Sequence, residues 1–174
     1  MSAVPPFDLA TLHAMDRDAF VAVLGPAFEN APWVAASVWP SRPFASVAAL
    51  HAGMLDVVRA APAAQRLAFL CGHPELAGRE AQAGTMTSES VGEQKSAGLN
   101  ALTSAELREM QRLNRAYRER HGFPFIIAVR ANTKQQIFDA MRARVAESTE
   151  VERDAALEQI GLITRGRIDA LVKG

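Results

Sequence analysis

Apolar positions recur at helical spacing along most of the chain, and short breaks at proline or glycine separate the repeats. The clearest case is "TSAELREMQRLNRAYRERHG" (103–122), in which one helical face is apolar: Leu107, Met110, Leu113 and Tyr117. Similar patterns predict helices over residues 16–25, 28–40, 43–62, 63–72, 90–102, 133–147 and 148–174. The sequence therefore predicts an all-α fold.

One stretch, "FPFIIAVRA" (123–131), has strand character instead. Pro124 has no N–H to donate, so this stretch cannot be a regular central strand and is expected to be extended. The predicted architecture is a single-domain bundle of about seven or eight helices with one short extended connector, covering residues 1–174.

Composition narrows the class of partner. The 174 residues are 49% hydrophobic and 22% charged, which is typical of a single globular domain. Basic and acidic residues number 19 each, so there is no basic excess for nucleic acid or an anionic membrane. The single cysteine, Cys71, allows no internal disulfide, and neither a signal peptide nor an apolar membrane span is apparent. We expect a cytoplasmic protein.

The first candidate for chemistry is His73, in "FLCGHPELAG" (69–78). A residue before proline is disfavoured in the α region, so Pro74 predicts that the helix 63–72 ends at or just before His73. Histidine titrates near neutral pH and could act there as an acid or base. The alternative is a histidine that makes one structural hydrogen bond at a helix end.

A second candidate is "SVGEQKSAGL" (90–99). Ser90 and Glu93 have the spacing of a capping box, which would only satisfy backbone donors at a helix start. The alternative is a site, because Glu93 and Gln94 lie on adjoining helical faces near the small residue Gly98. The residues themselves leave both interpretations open.

Arg167 is unusual for its position on the last predicted helix. At 100° per residue, the apolar residues within about 40° of it are Ala156, Ile160, Ile163 and Leu171. A guanidinium in such a stripe needs a partner, which could be a protein carboxylate, Glu93 included, or an anionic ligand.

Backbone groups could also bind a ligand. In a helical protein, an extended stretch such as "FPFIIAV" leaves N–H and C=O groups without helical partners, and a planar, amide-rich ligand would satisfy them. The alternative is plain core. The four histidines lack metal-ligand spacing and there is no second cysteine, so we expect no metal site.

Five segments together resemble a known family: "FENAPWVAASVWPSRPFASVAALHAGM" (28–54), "HPELAG" (73–78), "SVGEQKSAGL" (90–99), "LNRAYRERHGFPFIIAVR" (113–130) and "RIDALV" (167–172). In this order they closely resemble the 2-oxo-4-hydroxy-4-carboxy-5-ureidoimidazoline (OHCU) decarboxylase family of urate degradation. The resemblance covers about residues 7–172. It implies an all-α enzyme, usually a homodimer, that uses no cofactor and converts OHCU to (S)-allantoin in the third step from urate.

The resemblance also implies roles for individual residues. His73 matches the family's catalytic histidine and Glu93 its active-site glutamate. The positions that match substrate contacts are Pro74, Ser90, Gln94, Phe125, Ile126, Ile127, Ala128 and Arg167. The chain departs from the common family pattern at Glu75, where Asp is frequent, and at Ala131, where Gly is frequent.

Two other functions stay open on the sequence. One is a non-catalytic helical binding protein on the same scaffold, and the other is a decarboxylase that acts on a related ureido compound.

Overall fold

The computed structural model describes residues 7–173, and helices dominate them. The α-helices are α1 Leu9–Ala14, α2 Arg17–Leu24, α3 Pro32–Val38, α4 Val47–Ala60, α5 Ala63–Cys71, α6 Arg79–Ala83, α7 Ser88–Ser96, α8 Ser104–His121, α9 Lys134–Arg144 and α10 Thr149–Leu171. Short 3-10 turns cover Gly25–Phe28, Trp39–Ser41, Leu99–Ala101 and Val129–Ala131. No helix in this range is long and apolar enough to cross a membrane.

The all-α class is confirmed, but the described residues contain ten α-helices rather than seven or eight. The two additional ones are α1, with six residues, and α6, with five. Helices this short contain too few apolar positions to show a period, so the pattern could not reveal them. Two short strands were also missed: β1 (Phe7–Asp8) pairs in parallel with β2 (Val172–Lys173), with Phe7 opposite Val172.

The described residues form two compact units. The first comprises the residues up to Phe69 together with those from Thr164 onward. Its core contains apolar side chains with no exposed surface, among them Leu12, Phe20, Leu24, Phe28, Leu50 and Met54. Helix α3 packs against both α2 and α4 in this unit. Pro32 begins α3, where a proline fits because the first N–H of a helix has no intrahelical partner.

The second unit comprises Leu70–Ile163 and is organised around α8. Thr103 caps this helix in a reciprocal capping box with Glu106, and Gly122 ends it with φ at +80°, a conformation that glycine adopts without strain. The buried face of α8 packs on aromatic rings, since Tyr117 makes edge-to-face contacts with Phe123 at 5.8 Å and Phe125 at 5.2 Å. These contacts fix the chain that follows the helix.

That following chain, residues 123–131, will be called the connector. It forms no strand, so its strand character was misleading, although the short non-helical connector itself is confirmed. Phe123, Phe125 and Ile126 are buried, and the connector closes with the 3-10 turn Val129–Ala131. Its apolar run therefore reflects burial and not β-pairing.

Candidate active site

His73 stands where α5 has just ended. The helix stops at Cys71, and the N–H of His73 donates to the Leu70 carbonyl at 3.2 Å, which closes the last turn. The side chain is buried, with 7% of its surface exposed. The predicted corner before Pro74 is thus confirmed. Residues 73–78, which lead from this corner to α6, will be called the histidine loop.

Helix α7 begins three residues earlier than the capping-box interpretation requires. Thr87 is the N-cap, and its hydroxyl accepts the N–H of Ser90 at 3.3 Å. Ser90 therefore lies inside the first turn, and its interpretation as the cap, with Glu93 as the reciprocal partner, is wrong. The helical spacing places Ser90, Glu93 and Gln94 on one side of α7.

The buried face of α7 is polar. Its two buried residues are Ser90 and Gln94, while Glu93 beside them is half-buried. A helix normally buries an apolar stripe against its neighbours, and a buried polar face instead needs polar partners. This face is therefore suited to hold polar groups of the protein or of a ligand.

Gln94 joins α7 to the histidine loop. Its Oε1 accepts the N–H of Ala77 at 2.9 Å, and its Nε2 lies 3.3 Å from both the Glu75 carbonyl oxygen and the Met86 sulfur. Ala77 has a left-handed backbone with φ at +47°, so its N–H points away from ordinary helical partners. The side-chain amide thus replaces a backbone partner in this loop.

The connector has some backbone groups with partners and some without. The Ile126 carbonyl accepts from Arg144 at 3.1 Å, and the Ala128 N–H donates to Gln159 at 2.9 Å. Within residues 7–173, no partner is found for the N–H groups of Ile126 and Ile127 or for the Ile127 carbonyl. Both residues are buried. Such peptide groups need a partner, and a bound ligand or water could supply it.

Helix α7 also contacts the end of the connector. It packs against the turn Val129–Ala131, and a Cβ placed on Gly92 would lie 3.9 Å from Arg130 Nη2. Within the unit Leu70–Ile163, the same short helix therefore touches the histidine loop through Gln94 and the connector through its last turn. The histidine loop and the connector, which the sequence singled out separately, therefore both contact α7.

Comparison with known proteins identifies the scaffold. The model of the OHCU decarboxylase family matches residues 13–169. This chain belongs to the OHCU decarboxylase family. The resemblance inferred from the five ordered segments is therefore confirmed.

Relatives of known name match over most of the chain. The OHCU decarboxylase of Amia calva is 36% identical over 95% of this chain and 95% of the relative, and that of Halalkalicoccus jeotgali is 37% identical over 92% and 89%. Among solved structures, an (S)-allantoin synthase superposes with a TM-score of 0.77 at 29% identity. The match covers 97% of this chain, which spans about half, 54%, of that longer one.

Arg167 belongs to the first compact unit, whereas His73, α7 and the connector belong to the second. It is buried, as its place in the apolar stripe predicted, and its Nη1 lies 2.6 Å from Glu29 Oε2 and 3.4 Å from the Ala27 carbonyl. A protein carboxylate, one of the two kinds of partner considered from the sequence, is therefore present, and it is Glu29. Glu29 is itself buried and has φ at +55°, a strained backbone for a residue with a side chain.

Several structural partners escaped the sequence interpretation. Glu29 gave no signal, because it follows a turn and its partner is 138 residues away. Asn114 did give one: it interrupts the apolar stripe of α8 between Leu113 and Tyr117. Glu152 has capping-box spacing from Thr149, but it is buried and bonds Tyr117 and Arg144.

No arrangement typical of a metal centre is present in the range 7–173, where no three His, Cys, Asp or Glu side chains lie close enough to bind an ion together. The groups that His73, helix α7 and the connector offer to a ligand are an imidazole, a carboxylate, side-chain amide and hydroxyl groups, and peptide groups.

Proposed function

We propose that this protein decarboxylates OHCU to (S)-allantoin and CO2, in the third step of urate degradation. The observation that carries the proposal is the buried polar face of α7, bonded through Gln94 to the loop of His73, in a member of the OHCU decarboxylase family. The relatives from Amia calva and Halalkalicoccus jeotgali carry the name of this activity.

The substrate is well suited to lose CO2. Its carboxylate is on a ring carbon that also bears a hydroxyl. The neighbouring ring carbon bears the ureido group and is double-bonded to a ring nitrogen. When the C–CO2 bond breaks, its electron pair forms a C=C bond, and the C=N electrons move to nitrogen, which takes a proton. The resulting enol gives up its hydroxyl proton, and the ureido-bearing carbon gains one, which produces allantoin. The substrate provides its own electron sink, so we propose that no cofactor takes part.

His73 and Glu93 are the proposed catalytic residues. His73 would accept the hydroxyl proton as the enol is converted to the ketone. Glu93 would assist by accepting a hydrogen bond from the imidazole or from the substrate hydroxyl. Burial of His73 and its fixed place before Pro74 support this role. Delivery of the new proton from one side of the ring accounts for the (S) configuration.

The remaining site residues are proposed to bind and orient the substrate. Ser90 and Gln94 provide polar contacts from α7. Because Gln94 Oε1 is engaged by Ala77, the Nε2 end, whose two contacts are long at 3.3 Å, is the end that would donate to the substrate. Pro74 would line the pocket beside His73.

The connector supplies the proposed backbone contacts over residues Phe125 to Ala128. The free groups of Ile126 and Ile127, two donors and one acceptor, match the alternating donors and acceptors of a ureido group or ring amide. Arg167 is proposed to bind an anionic or carbonyl group of the substrate with the planar edge of its guanidinium. It should orient the carboxylate without gripping it, because uniform ground-state binding does not raise the rate constant.

The proposal is tested by generating the unstable substrate in place. Urate is treated with a urate oxidase and a hydroxyisourate hydrolase, and circular dichroism follows the appearance of (S)-allantoin. We expect this protein to accelerate that signal and to raise the enantiomeric excess over the spontaneous decay. Decay at the spontaneous rate would refute the proposed function.

Matched variants assign the residues. His73→Asn and Glu93→Gln should each lower kcat by about 10²–10⁴-fold, the usual range for lost acid–base help. Glu89→Gln, on the same helix, is the control and should retain activity. Arg167→Lys should weaken the enzyme as well, because one ammonium cannot reproduce a planar fork. Near-normal turnover by His73→Asn would remove that residue from the mechanism.

We further propose that residues 1–174 act as one OHCU decarboxylase domain, in the cytoplasm and as a homodimer. The family resemblance supports the dimer, and the single cysteine supports a reducing compartment. Light scattering should give twice the mass of the 18.8 kDa chain. Because no metal is proposed to take part, activity should also survive dialysis against a chelator. A monomeric mass at assay concentration would count against the dimer.

A further inference from the structure

Asn114 occupies a core position on α8. Its neighbours on the buried face are Met110, Leu113 and Tyr117, and only 4% of its own surface is exposed. Its Nδ2 donates to the Leu76 carbonyl at 2.9 Å. Its Oδ1 is buried, and within the described range 7–173 no donor reaches it.

This arrangement is not the one that core stability alone would favour. A buried amide oxygen without a donor loses its hydration and receives nothing in return, whereas a leucine of similar size would pack in the same stripe without stranding a polar atom. The orientation of the amide is fixed, since a flipped amide would place Oδ1 against the Leu76 oxygen. The distinct contribution of Asn114 is therefore its bond to Leu76.

Leu76 lies in the middle of the histidine loop, three residues after His73. The loop has no regular secondary structure, and Ala77 in it has a left-handed backbone. The Asn114 bond is buried, unlike the contact of Arg118 with the Glu75 carboxylate at 2.8 Å, where the arginine is 42% exposed. A buried bond is shielded from competing water and holds position better than an exposed ion pair.

Movement of Leu76 would reach His73 through a short, stiff path. Only Pro74 and Glu75 separate the two residues, and the ring of Pro74 fixes its φ near −65°. The loop is also tight at its far end, since a Cβ on Gly78 would lie 2.6 Å from the Glu75 Cβ. The loop therefore has little freedom to absorb a displacement before it reaches the imidazole.

We propose that Asn114 is a positioning residue for His73, acting through its hydrogen bond to the Leu76 carbonyl. This inference rests on the proposed catalytic role of His73. Asn114 lies behind the loop and requires no contact with the substrate. Its loss should misplace the imidazole and lower kcat, with little change in KM.

The main variant is Asn114→Leu, and Gln111→Leu is the matched control. Gln111 is exposed on the same helix, so the control makes a similar amide-to-leucine change away from the loop. We expect kcat of Asn114→Leu to fall by between about 10-fold and about 100-fold, the effect of a misplacement of up to about 1 Å. KM should stay within about threefold. The urea midpoint should stay close to that of the wild type, because removal of the stranded Asn114 oxygen offsets the loss of the donor to the Leu76 carbonyl.

A second readout does not depend on turnover. The imidazole proton signals of His73 are assigned by comparison with His73→Asn and followed by NMR. They should shift or broaden in Asn114→Leu and stay unchanged in Gln111→Leu. Should Asn114→Leu fail to fold, Asn114→Ala removes the same bond without filling the space, and it is measured in the same way.

The outcomes separate the two proposals. A wild-type protein that does not accelerate (S)-allantoin formation refutes the proposed function, while the NMR signals still test whether Asn114 positions His73. An active wild type with unchanged kcat in Asn114→Leu refutes the positioning role. The positioning role is also refuted if the activity of the Asn114 variants falls only in proportion to the loss of folded protein. An unaltered His73 signal in these variants refutes it as well.

Discussion

The most informative stability test concerns Glu152, a buried carboxylate in the second unit. Its side chain is 1% exposed. Its Oε2 accepts the Tyr117 hydroxyl at 2.5 Å, and Arg144 Nε lies 3.1 Å from the same oxygen and 3.2 Å from Oε1. Burial and the bond to Glu152 raise the pKa of Tyr117 above its ordinary value of 10, so the phenol keeps its proton and donates.

The substitution Glu152→Gln keeps the shape of the side chain but removes its charge. It leaves Arg144, whose side chain is only 18% exposed, without its carboxylate partner. Breaking a buried ion pair costs about 3–5 kcal/mol, and the partial exposure of Arg144 places this case near the lower end, at about 3 kcal/mol. Tyr117→Phe removes one bond to a charged group and should cost less, about 1.5–3 kcal/mol.

The assay is urea unfolding followed by circular dichroism at 222 nm, with thermal melts alongside. For a protein of this size, about 3 kcal/mol corresponds to a fall in Tm of about 6–12 °C. The control is Glu150→Gln, an exposed glutamate in the first turn of the same helix, which should stay within about 0.5 kcal/mol of the wild type.

The prediction also reaches the proposed site. Arg144 donates to the Ile126 carbonyl at 3.1 Å, and its guanidinium stacks on Phe125 at 4.5 Å from the ring centroid. Glu152→Gln should therefore loosen the connector and raise KM as well. If Glu152→Gln is no less stable than Glu150→Gln, the reasoning that this carboxylate neutralises a buried cation is wrong.

Three further predictions follow from the same physics. Glu29→Gln should destabilise the protein by about 3 kcal/mol in urea unfolding, because it removes the buried carboxylate that lies 2.6 Å from the buried Arg167 guanidinium, and a loss below about 1 kcal/mol would contradict this. Burial lowers the pKa of His121 below its ordinary 6.5, so the unfolded state binds the proton more readily and stability is lost as the pH falls below about 6.5. The urea midpoint should therefore drop less between pH 7 and pH 5 in His121→Gln than in the wild type, and parallel curves would refute the assignment. Gly78→Ala should lower the stability by about 1–3 kcal/mol, because its Cβ would lie 2.6 Å from the Glu75 Cβ. Gly92→Ala on α7 should raise the stability by about 0.5–1 kcal/mol, because its Cβ would lie 3.9 Å from the nearest atom, Arg130 Nη2. Equal Tm values for the two variants would contradict both predictions.

Local interactions explain why so much of the helical fold could be predicted from sequence. The α8 helix combines an apolar stripe, a Thr103–Glu106 capping box and a terminal Gly122, and all three act within a few residues of one another. The end of α5 before Pro74 is local in the same way. The apolar stripe of α8 and the corner before Pro74 were correctly predicted because neighbouring residues decide them.

The site shows where local reasoning fails. Ser90 and Glu93 have the spacing of a capping box, but Thr87 takes the cap and turns Ser90 into a buried residue of α7. Both arrangements satisfy the backbone donors of a helix start. The choice between them depends on what packs against the helix, which the spacing cannot contain.

The sequence by itself determined most of the helices, the corner at His73 and the burial of Arg167, because periodicity and the geometry of proline are properties of short segments. Tertiary structure alone decided the partners. Glu29 meets Arg167 across 138 positions, Asn114 meets Leu76 across 38, and Glu152 meets Tyr117 across 35. A buried charge or amide requires some partner, and that requirement is visible in the sequence. Which residue meets it depends on how the packed helices bring distant positions within hydrogen-bonding distance.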